Sequence, residues 1–179
     1  DPEYSPAKLF TSANPKKAIR VKGPEIYYKF YEDEGLRFIQ ENYPRYLILH
    51  KPLQKRLVGV FHRDISKVRK TDETFWQLME KKPTDELLNA LHKVFQIVAA
   101  SSGLSQGAFG VFGSILHGFY HPKFSDLDFV IYGRKELEKL CQTLSDLYNE
   151  GKFLRNEFEN AKCMEGKRLK FLNYSPEEF

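Results

Sequence analysis

Two aspartates that precede an apolar run place the tightest constraint on this chain. Asp126 and Asp128 lie on either side of Leu127, at the start of the predicted strand Leu127–Tyr132. Side chains alternate between the two faces of a strand, so both carboxylates are expected to project from the same face. Two neighbouring carboxylates repel each other unless a cation lies between them. The spacing therefore predicts a cation site at the start of this strand.

A site built from carboxylate oxygens suits a hard divalent cation. Mg²⁺, or Mn²⁺ in its place, prefers oxygen ligands, and Mg²⁺ is commonly held by one or two carboxylates together with substrate phosphates. The alternative is that Asp126 and Asp128 are ordinary solvent-facing residues. Aspartate is depleted in strands, however, and that alternative leaves the preceding Gly-Ser turn unexplained. We therefore favour the metal site.

A Gly113-Ser114 turn comes before the aspartates and ends another predicted strand, Gly107–Phe112. Glycine lets the backbone approach a ligand closely, and free N–H groups at the start of a following helix attract anionic oxygen atoms. The Ser114 hydroxyl can form a hydrogen bond to the same phosphates. Capping of the helix is the commonest use of such a serine, and the two roles are compatible.

The Gly-Ser turn and the two aspartates together resemble a known superfamily. The DNA polymerase β-type nucleotidyltransferases carry a Gly-Ser turn and helix followed by Asp-x-Asp on a strand, like Gly113-Ser114 and Ser125–Asp128 here. The closer likeness is to uncharacterised, predicted nucleotidyltransferases of archaea, which share a Gly-Ser-Ile-Leu turn, a Pro-x-Phe-Ser-Asp segment and a Tyr-Gly strand end. The corresponding residues are Gly113–Leu116, Pro122–Asp126 and Tyr132-Gly133.

The resemblance implies a reaction and roles for the motif residues. The reaction is metal-assisted transfer of a nucleoside monophosphate from a nucleoside triphosphate (NTP) to an acceptor hydroxyl, with release of pyrophosphate. Asp126 and Asp128 would be catalytic and would bind one or two Mg²⁺ ions. Gly113 and Ser114 would hold the β and γ phosphates.

Four further residues are candidates for the same site. Ser125 and Lys123 adjoin the aspartates and would add a hydroxyl and a cation for the triphosphate. Members of the superfamily usually carry a third carboxylate on a later strand, and Glu157 and Glu159 are the candidates here. The final residues resemble the start of an element, so the chain is expected to continue. The third acid would then lie beyond Phe179.

A chain without a third carboxylate is expected to bind nucleotide without turnover. The alternative to an enzyme is therefore a catalytically degenerate nucleotide- or RNA-binding module of the same fold. A structural domain with an accidental Asp-x-Asp ranks last. The sequence leaves the acceptor, the preferred NTP and the oligomeric state open, with RNA as one candidate acceptor, because the appended parts that build acceptor sites vary freely.

Hydrophobic periodicity predicts helices and strands in one chain, and the resemblance implies an α/β or α+β fold with a mixed β-sheet flanked by helices. Residues 1–71 are expected to form a small α+β part that begins with an irregular arm over residues 1–18. Residues 72–179 are expected to form the nucleotidyltransferase-like domain. Its predicted order from Thr84 to Tyr148 is helix, strand, turn and short helix, strand and helix.

Charge and composition indicate which kinds of ligand the chain could bind. A net charge of +4 and a pI near 8.9 suit a phosphate-bearing ligand but fall short of a dedicated DNA binder. The basic run Arg63–Lys70 is interpreted as a solvated surface, and the aromatic residues 27–31 are attributed to packing rather than to base stacking. Cys141 and Cys163 lack zinc-site spacing.

The sequence also bears on membranes and location. No apolar stretch approaches the roughly 18 residues that a membrane span needs. The first residues lack the basic and apolar regions of a signal peptide. We therefore expect no membrane partner and a cytoplasmic location.

Overall fold

The computed structural model describes residues 4–22, 24–31 and 34–156, apart from the side chain of Lys17. Glu157 and Glu159, the predicted third carboxylates, lie outside these residues. The fold class is α+β, as the sequence predicts, because helices alternate with short strands in small sheets. Within the described residues, no helix is both long and apolar enough to cross a membrane.

Contacts between Cα atoms divide the chain into two compact units. The first contains the described residues up to Leu91 together with Phe109–Val130. The second contains His92–Ala108 and the described residues from Ile131 onward. The predicted domain boundary after residue 71 stays a prediction. Both aspartates and the Gly-Ser turn lie in the first unit.

An antiparallel sheet opens the first unit. Strand β1 is Tyr4–Pro6, helix α1 is Pro15–Ala18, strand β2 is Ile19–Lys22 and strand β3 is Glu25–Lys29, with the strand order β1-β3-β2. Strands β2 and β3 pair antiparallel as a hairpin. The prediction of an irregular arm over residues 1–18 is wrong for β1, because Tyr4 pairs with Lys29 of β3 and is 4% exposed.

A helix and a second hairpin follow. Helix α2 is Glu34–Asn42, strand β4 is Leu47–His50 and strand β5 is Lys55–Val58. The helix ends before Pro44, since proline disfavours a helical conformation in the residue before it. The strands β4 and β5 pair antiparallel, and all four residues of β5 are exposed.

The segment that carries the motifs has the predicted order of elements. Helix α3 is Thr71–Glu80, helix α4 is Glu86–Ser102, strand β6 is Phe109–Val111, helix α5 is Gly113–His117, strand β7 is Phe129–Ile131 and helix α6 is Arg134–Glu150. Strands β6 and β7 form a two-stranded sheet. The Phe112 N–H donates to the Asp128 carbonyl at 2.9 Å, so the chain beside the aspartates is held by the end of β6.

Apolar packing against α3 fixes β6 in the first unit. Phe75 of α3 is fully buried, with its ring centroid 6.2 Å from those of both Phe109 and Phe129. Gly110 faces the start of α3 so closely that an added Cβ would lie 2.8 Å from Thr71 Oγ1 and 3.0 Å from its carbonyl carbon. Glycine at this position therefore allows the strand to lie against the helix.

The second unit contains most of α4 and all of α6. Within this unit, the Tyr132 N–H donates to the Ala108 carbonyl at 2.8 Å. Thr143 and Leu147 are the buried residues of α6, and the Thr143 hydroxyl donates to the Lys139 carbonyl at 2.9 Å. The helix ends at Gly151, whose φ of +63° suits glycine.

Candidate active site

A polar cavity of about 440 Å³ lies in the first unit. Five of the site residues predicted from the sequence line it: Gly113, Ser114, Ser125, Asp126 and Asp128. They come from the start of α5 and from the segment that leads into β7. The structure therefore brings both motifs to one cavity.

The two aspartates lie just before β7 rather than within it. The strand begins at Phe129, later than the predicted start at Leu127, but the Asp128 carbonyl already accepts the hydrogen bond from Phe112. Both side chains are exposed and line the same cavity. Within the part of the chain that the structure describes, no hydrogen bond or ion pair engages either carboxylate. The pair is therefore available to a ligand.

Gly113 leaves the space that the Asp128 carboxylate occupies. The φ of Gly113 is +61°, a left-handed conformation that residues with a Cβ rarely adopt. A Cβ added at Gly113 would also collide with Oδ2 of Asp128. Both observations require glycine at this turn.

Ser114 is the second residue of α5, and Phe112 is the residue that precedes the helix. No side-chain hydrogen bond caps the start of α5, so the capping role considered from the sequence is wrong. The Ser114 carbonyl accepts the Phe119 N–H at 2.9 Å, and its side chain borders the cavity. The hydroxyl is therefore placed where it can contact a ligand.

A tight turn presents Ser125 to the cavity. The Ser125 hydroxyl oxygen accepts the His121 N–H at 2.8 Å, and the His121 carbonyl accepts the Ser125 N–H at 3.0 Å. The Lys123 N–H donates to Nδ1 of His121 at 3.2 Å. Lys123 itself is exposed and is not among the residues that line the cavity, so the structure does not bring this predicted phosphate ligand into the site.

Sequence reasoning missed two basic residues of the cavity. Arg20 of β2 and Lys29 of β3 line it together with the aspartates. Both belong to the N-terminal sheet, which the sequence assigned to a separate part. Neither residue stands in a motif, and only the packing of that sheet brings them near residues about 100 positions later in the chain.

Aromatic side chains complete the lining of the cavity. Phe112 and Phe124 are 52% and 77% exposed, and Tyr31 is half-buried. Exposed aromatic rings of this kind offer faces on which a nucleobase can stack. Tyr31 borders the cavity, and the attribution of the aromatic residues 27–31 to packing stays a prediction.

The donor set of the cavity fits a divalent cation that arrives with a phosphate ligand. Two carboxylates are the protein ligands that Mg²⁺ commonly takes when substrate phosphates and waters complete its shell. The room that Gly113 leaves for the Asp128 carboxylate supports the same conclusion. Among the described residues, no group of three or more His, Cys, Asp or Glu side chains forms a complete protein cage for a metal ion.

The comparison with protein families gives one result. A family model for the nucleotidyltransferase domain matches residues 91–175 of the chain, a range that includes the Gly-Ser turn and both aspartates. This match supports the polymerase β-type nucleotidyltransferase superfamily and nucleotidyl transfer as the general activity. No curated protein matches the chain, and no solved structure matches it.

Proposed function

We propose that this chain is a metal-dependent enzyme that transfers a nucleoside monophosphate from an NTP to an acceptor hydroxyl and releases pyrophosphate. One observation carries the proposal: Asp126, Asp128, Gly113 and Ser114 line a single cavity within the range that the nucleotidyltransferase family model matches. Phosphoryl chemistry of this type depends mainly on position and charge, and the cavity supplies carboxylates, cations and hydroxyls.

Asp126 and Asp128 would hold Mg²⁺ or Mn²⁺. When bound, the divalent ion lowers the pKa of an acceptor hydroxyl and stabilises the negative charge of the leaving pyrophosphate. The hydroxyl oxygen attacks the α phosphorus, the bond from that phosphorus to the oxygen shared with the β phosphorus breaks, and the hydroxyl releases its proton to water. A single residue separates the two aspartates and both line one cavity, so their carboxylates can share one phosphate-bearing ligand.

The cations and hydroxyls of the cavity would orient the triphosphate. Arg20 and Lys29 offer charged donors, which form the stronger class of hydrogen bond to phosphate oxygens. Ser114 and Ser125 offer hydroxyls at the same cavity. Phe124, which is 77% exposed, offers a stacking face for the base.

A non-catalytic nucleotide- or RNA-binding module is the second candidate. The observation in its favour is that no third carboxylate joins Asp126 and Asp128 among the residues that the structure describes. Glu157 and Glu159, the sequence candidates for the third acid, lie outside those residues. The two candidates differ in turnover rather than in binding.

Titration calorimetry with ATP, GTP, CTP and UTP, with and without Mg²⁺, tests the proposal together with a pyrophosphate-release assay. An enzyme binds at least one NTP in a metal-dependent manner and releases pyrophosphate once an acceptor is present. Binding without release across a panel of hydroxyl acceptors favours the non-catalytic module. Absence of metal-dependent binding contradicts both.

The variants Glu157→Gln and Glu159→Gln test the third carboxylate directly. If one of these acids completes the site, its removal lowers the rate of pyrophosphate release by a large factor while the affinity for the NTP changes little. Equal release by both variants and the unmodified chain removes Glu157 and Glu159 from the proposal.

The likeness to archaeal proteins and the cytoplasmic location stay predictions.

A further inference from the structure

A cluster of cations lies at the far end of α5 from the Gly-Ser turn. Nη1 of Arg69 lies 3.0 Å from Nδ1 of His117, the last residue of α5. The Lys22 ammonium donates to the His117 carbonyl at 3.2 Å and lies 4.6 Å from the centroid of the Phe119 ring. Two cations therefore contact one residue of the motif helix.

Lys67, which stands two residues before Arg69 in the chain, adds a third positive charge beside these cations. Burial lowers the pKa of Lys22, and the neighbouring charges of Arg69 and Lys67 lower it further, while the charge of Glu25 acts in the opposite direction. Lys67 and Arg69 are two residues apart, whereas Lys70, one residue later, pairs with Glu73 at 2.6 Å. Like charges gathered in this way favour an anion between them.

Two elements connect this cluster to the candidate active site. Arg20 of the cavity and Lys22 of the cluster are alternate residues of β2, so they share a face at a separation of about 7 Å. Helix α5 runs from Gly113 at the cavity to His117 at the cluster, a rise of about 6 Å. Strand β2 thus carries one cation at the cavity, Arg20, and one cation in the cluster, Lys22.

We propose that Lys22, Lys67 and Arg69 bind the phosphate backbone of a single-stranded nucleic acid whose terminal hydroxyl is the acceptor. This inference rests on the proposed function, because it assigns the acceptor of that reaction. A series of cations spaced along a surface matches a chain of phosphates better than it matches a single small anion. The exposed Phe112 offers a stacking face at the cavity end of the series.

Fluorescence anisotropy with a labelled, unstructured oligoadenylate tests the inference. EDTA is present and NTP is left out, so binding at Asp126 and Asp128 through a metal ion makes no contribution. The unmodified chain is expected to bind, and the double variant Lys67→Gln/Arg69→Gln to bind about tenfold more weakly at low salt. The slope of log affinity against log salt should also fall by about 1.4, which corresponds to two lost phosphate contacts on a single strand.

The matched control is Lys51→Gln/Lys55→Gln, which removes the same charge from exposed positions at the second hairpin. It should bind the oligoadenylate like the unmodified chain. Equal weakening by both double variants, or no binding by the unmodified chain, overturns the inference. Because Arg69 contacts His117, the single variant Lys67→Gln, at an exposed position, should show about half of the change in slope without loss of thermal stability.

Two further measurements separate this inference from the proposed function. The Lys67→Gln/Arg69→Gln variant should keep its affinity for Mg²⁺ and NTP, since neither residue lines the cavity. The Asp126→Asn/Asp128→Asn variant should keep its affinity for the oligoadenylate in EDTA. If the chain binds NTP but not the oligoadenylate, only the proposal of a nucleic-acid acceptor is contradicted. If it binds the oligoadenylate but shows no metal-dependent NTP binding, only the proposed metal site is contradicted.

Discussion

The carboxylate of Asp128 occupies the space where Gly113 has no side chain. An added Cβ would collide with Oδ2 of Asp128, although the two residues are separated by a helix and a loop in the sequence. The left-handed φ of +61° at Gly113 turns the chain at the same point. The Gly113 turn and the Asp128 carboxylate therefore pack against each other, and a side chain added at Gly113 should displace that carboxylate.

The variant Gly113→Ala should lose metal-dependent NTP binding. The new methyl group would force the Asp128 carboxylate out of its position, and the left-handed backbone would cost about 1 kcal/mol of folding free energy. Titration calorimetry gives the loss of binding, and urea unfolding gives the change in stability. Unchanged NTP affinity in a folded Gly113→Ala variant would contradict the assigned position of Asp128.

Gly118→Ala provides the control for backbone strain. Gly118 has a φ of +70°, but a Cβ built there meets no atom within 4 Å. This variant should lose a similar amount of stability, about 1 kcal/mol, because its backbone strain is the same. It should keep the NTP affinity of the unmodified chain. A parallel loss of binding in both variants would mean that strain, rather than contact with Asp128, accounts for the effect.

Lys29→Gln should weaken the affinity for NTP by about tenfold, since hydrogen bonds to charged groups contribute roughly 1.5 to 3 kcal/mol each. Lys29 is half-buried and lines the cavity with both aspartates. Titration calorimetry with saturating Mg²⁺ measures the change. Lys16→Gln, at an exposed position of α1, is the matched control. Equal affinities for the two variants would exclude Lys29 from phosphate binding.

Tyr120 should make stability depend on pH in the alkaline range. Burial and then a 2.8 Å hydrogen bond to Asp85 raise the pKa of Tyr120 from 10.0 to about 12. The folded state therefore holds this proton more tightly than the unfolded state does. The resulting stabilisation is complete below pH 10 and is lost as the pH rises from about 10 to about 12.

Urea unfolding of the unmodified chain and of Tyr120→Phe across this pH range measures the effect. The difference in unfolding free energy between the two proteins should shrink as the pH rises from about 10 to about 12. Other groups titrate equally in both proteins, so the comparison isolates Tyr120. A difference that stays constant over the range would show that the Asp85 contact does not hold the proton.

The helices and strands that carry the Gly-Ser turn and the two aspartates could be predicted from sequence, because the pattern that indicates each one spans only a few neighbouring residues. The apolar stripe of α4, the Gly-Ser turn after β6 and the apolar run of β7 each lie within a single window of the chain. Boundaries shifted by a few residues, as at β7, which begins at Phe129 rather than at Leu127. Hydrogen bonds to a neighbouring strand determine the residue at which a strand begins. The hydrophobic periodicity of the sequence carries no information about these bonds.

The contribution of the N-terminal sheet could not be predicted. Strand β1 consists of only three residues, and Tyr4 is buried because β3 and the ring of Phe119 cover it, with a Tyr4–Phe119 centroid distance of 4.5 Å. Arg20 and Lys29 reach the cavity through the same packing. Contacts between residues far apart in sequence leave no periodic signal, so these site residues were visible only in the structure.

Calorimetric titration of Mg²⁺ and NTP into Asp126→Asn/Asp128→Asn tests directly whether these two carboxylates hold the metal ion. Asp64→Asn/Asp146→Asn removes two exposed acids elsewhere and is the control. Metal-dependent NTP binding is expected to disappear in the first variant and to persist in the second, with both variants folded. Retained metal-dependent binding in a folded Asp126→Asn/Asp128→Asn protein would contradict the assignment of these carboxylates as the metal site.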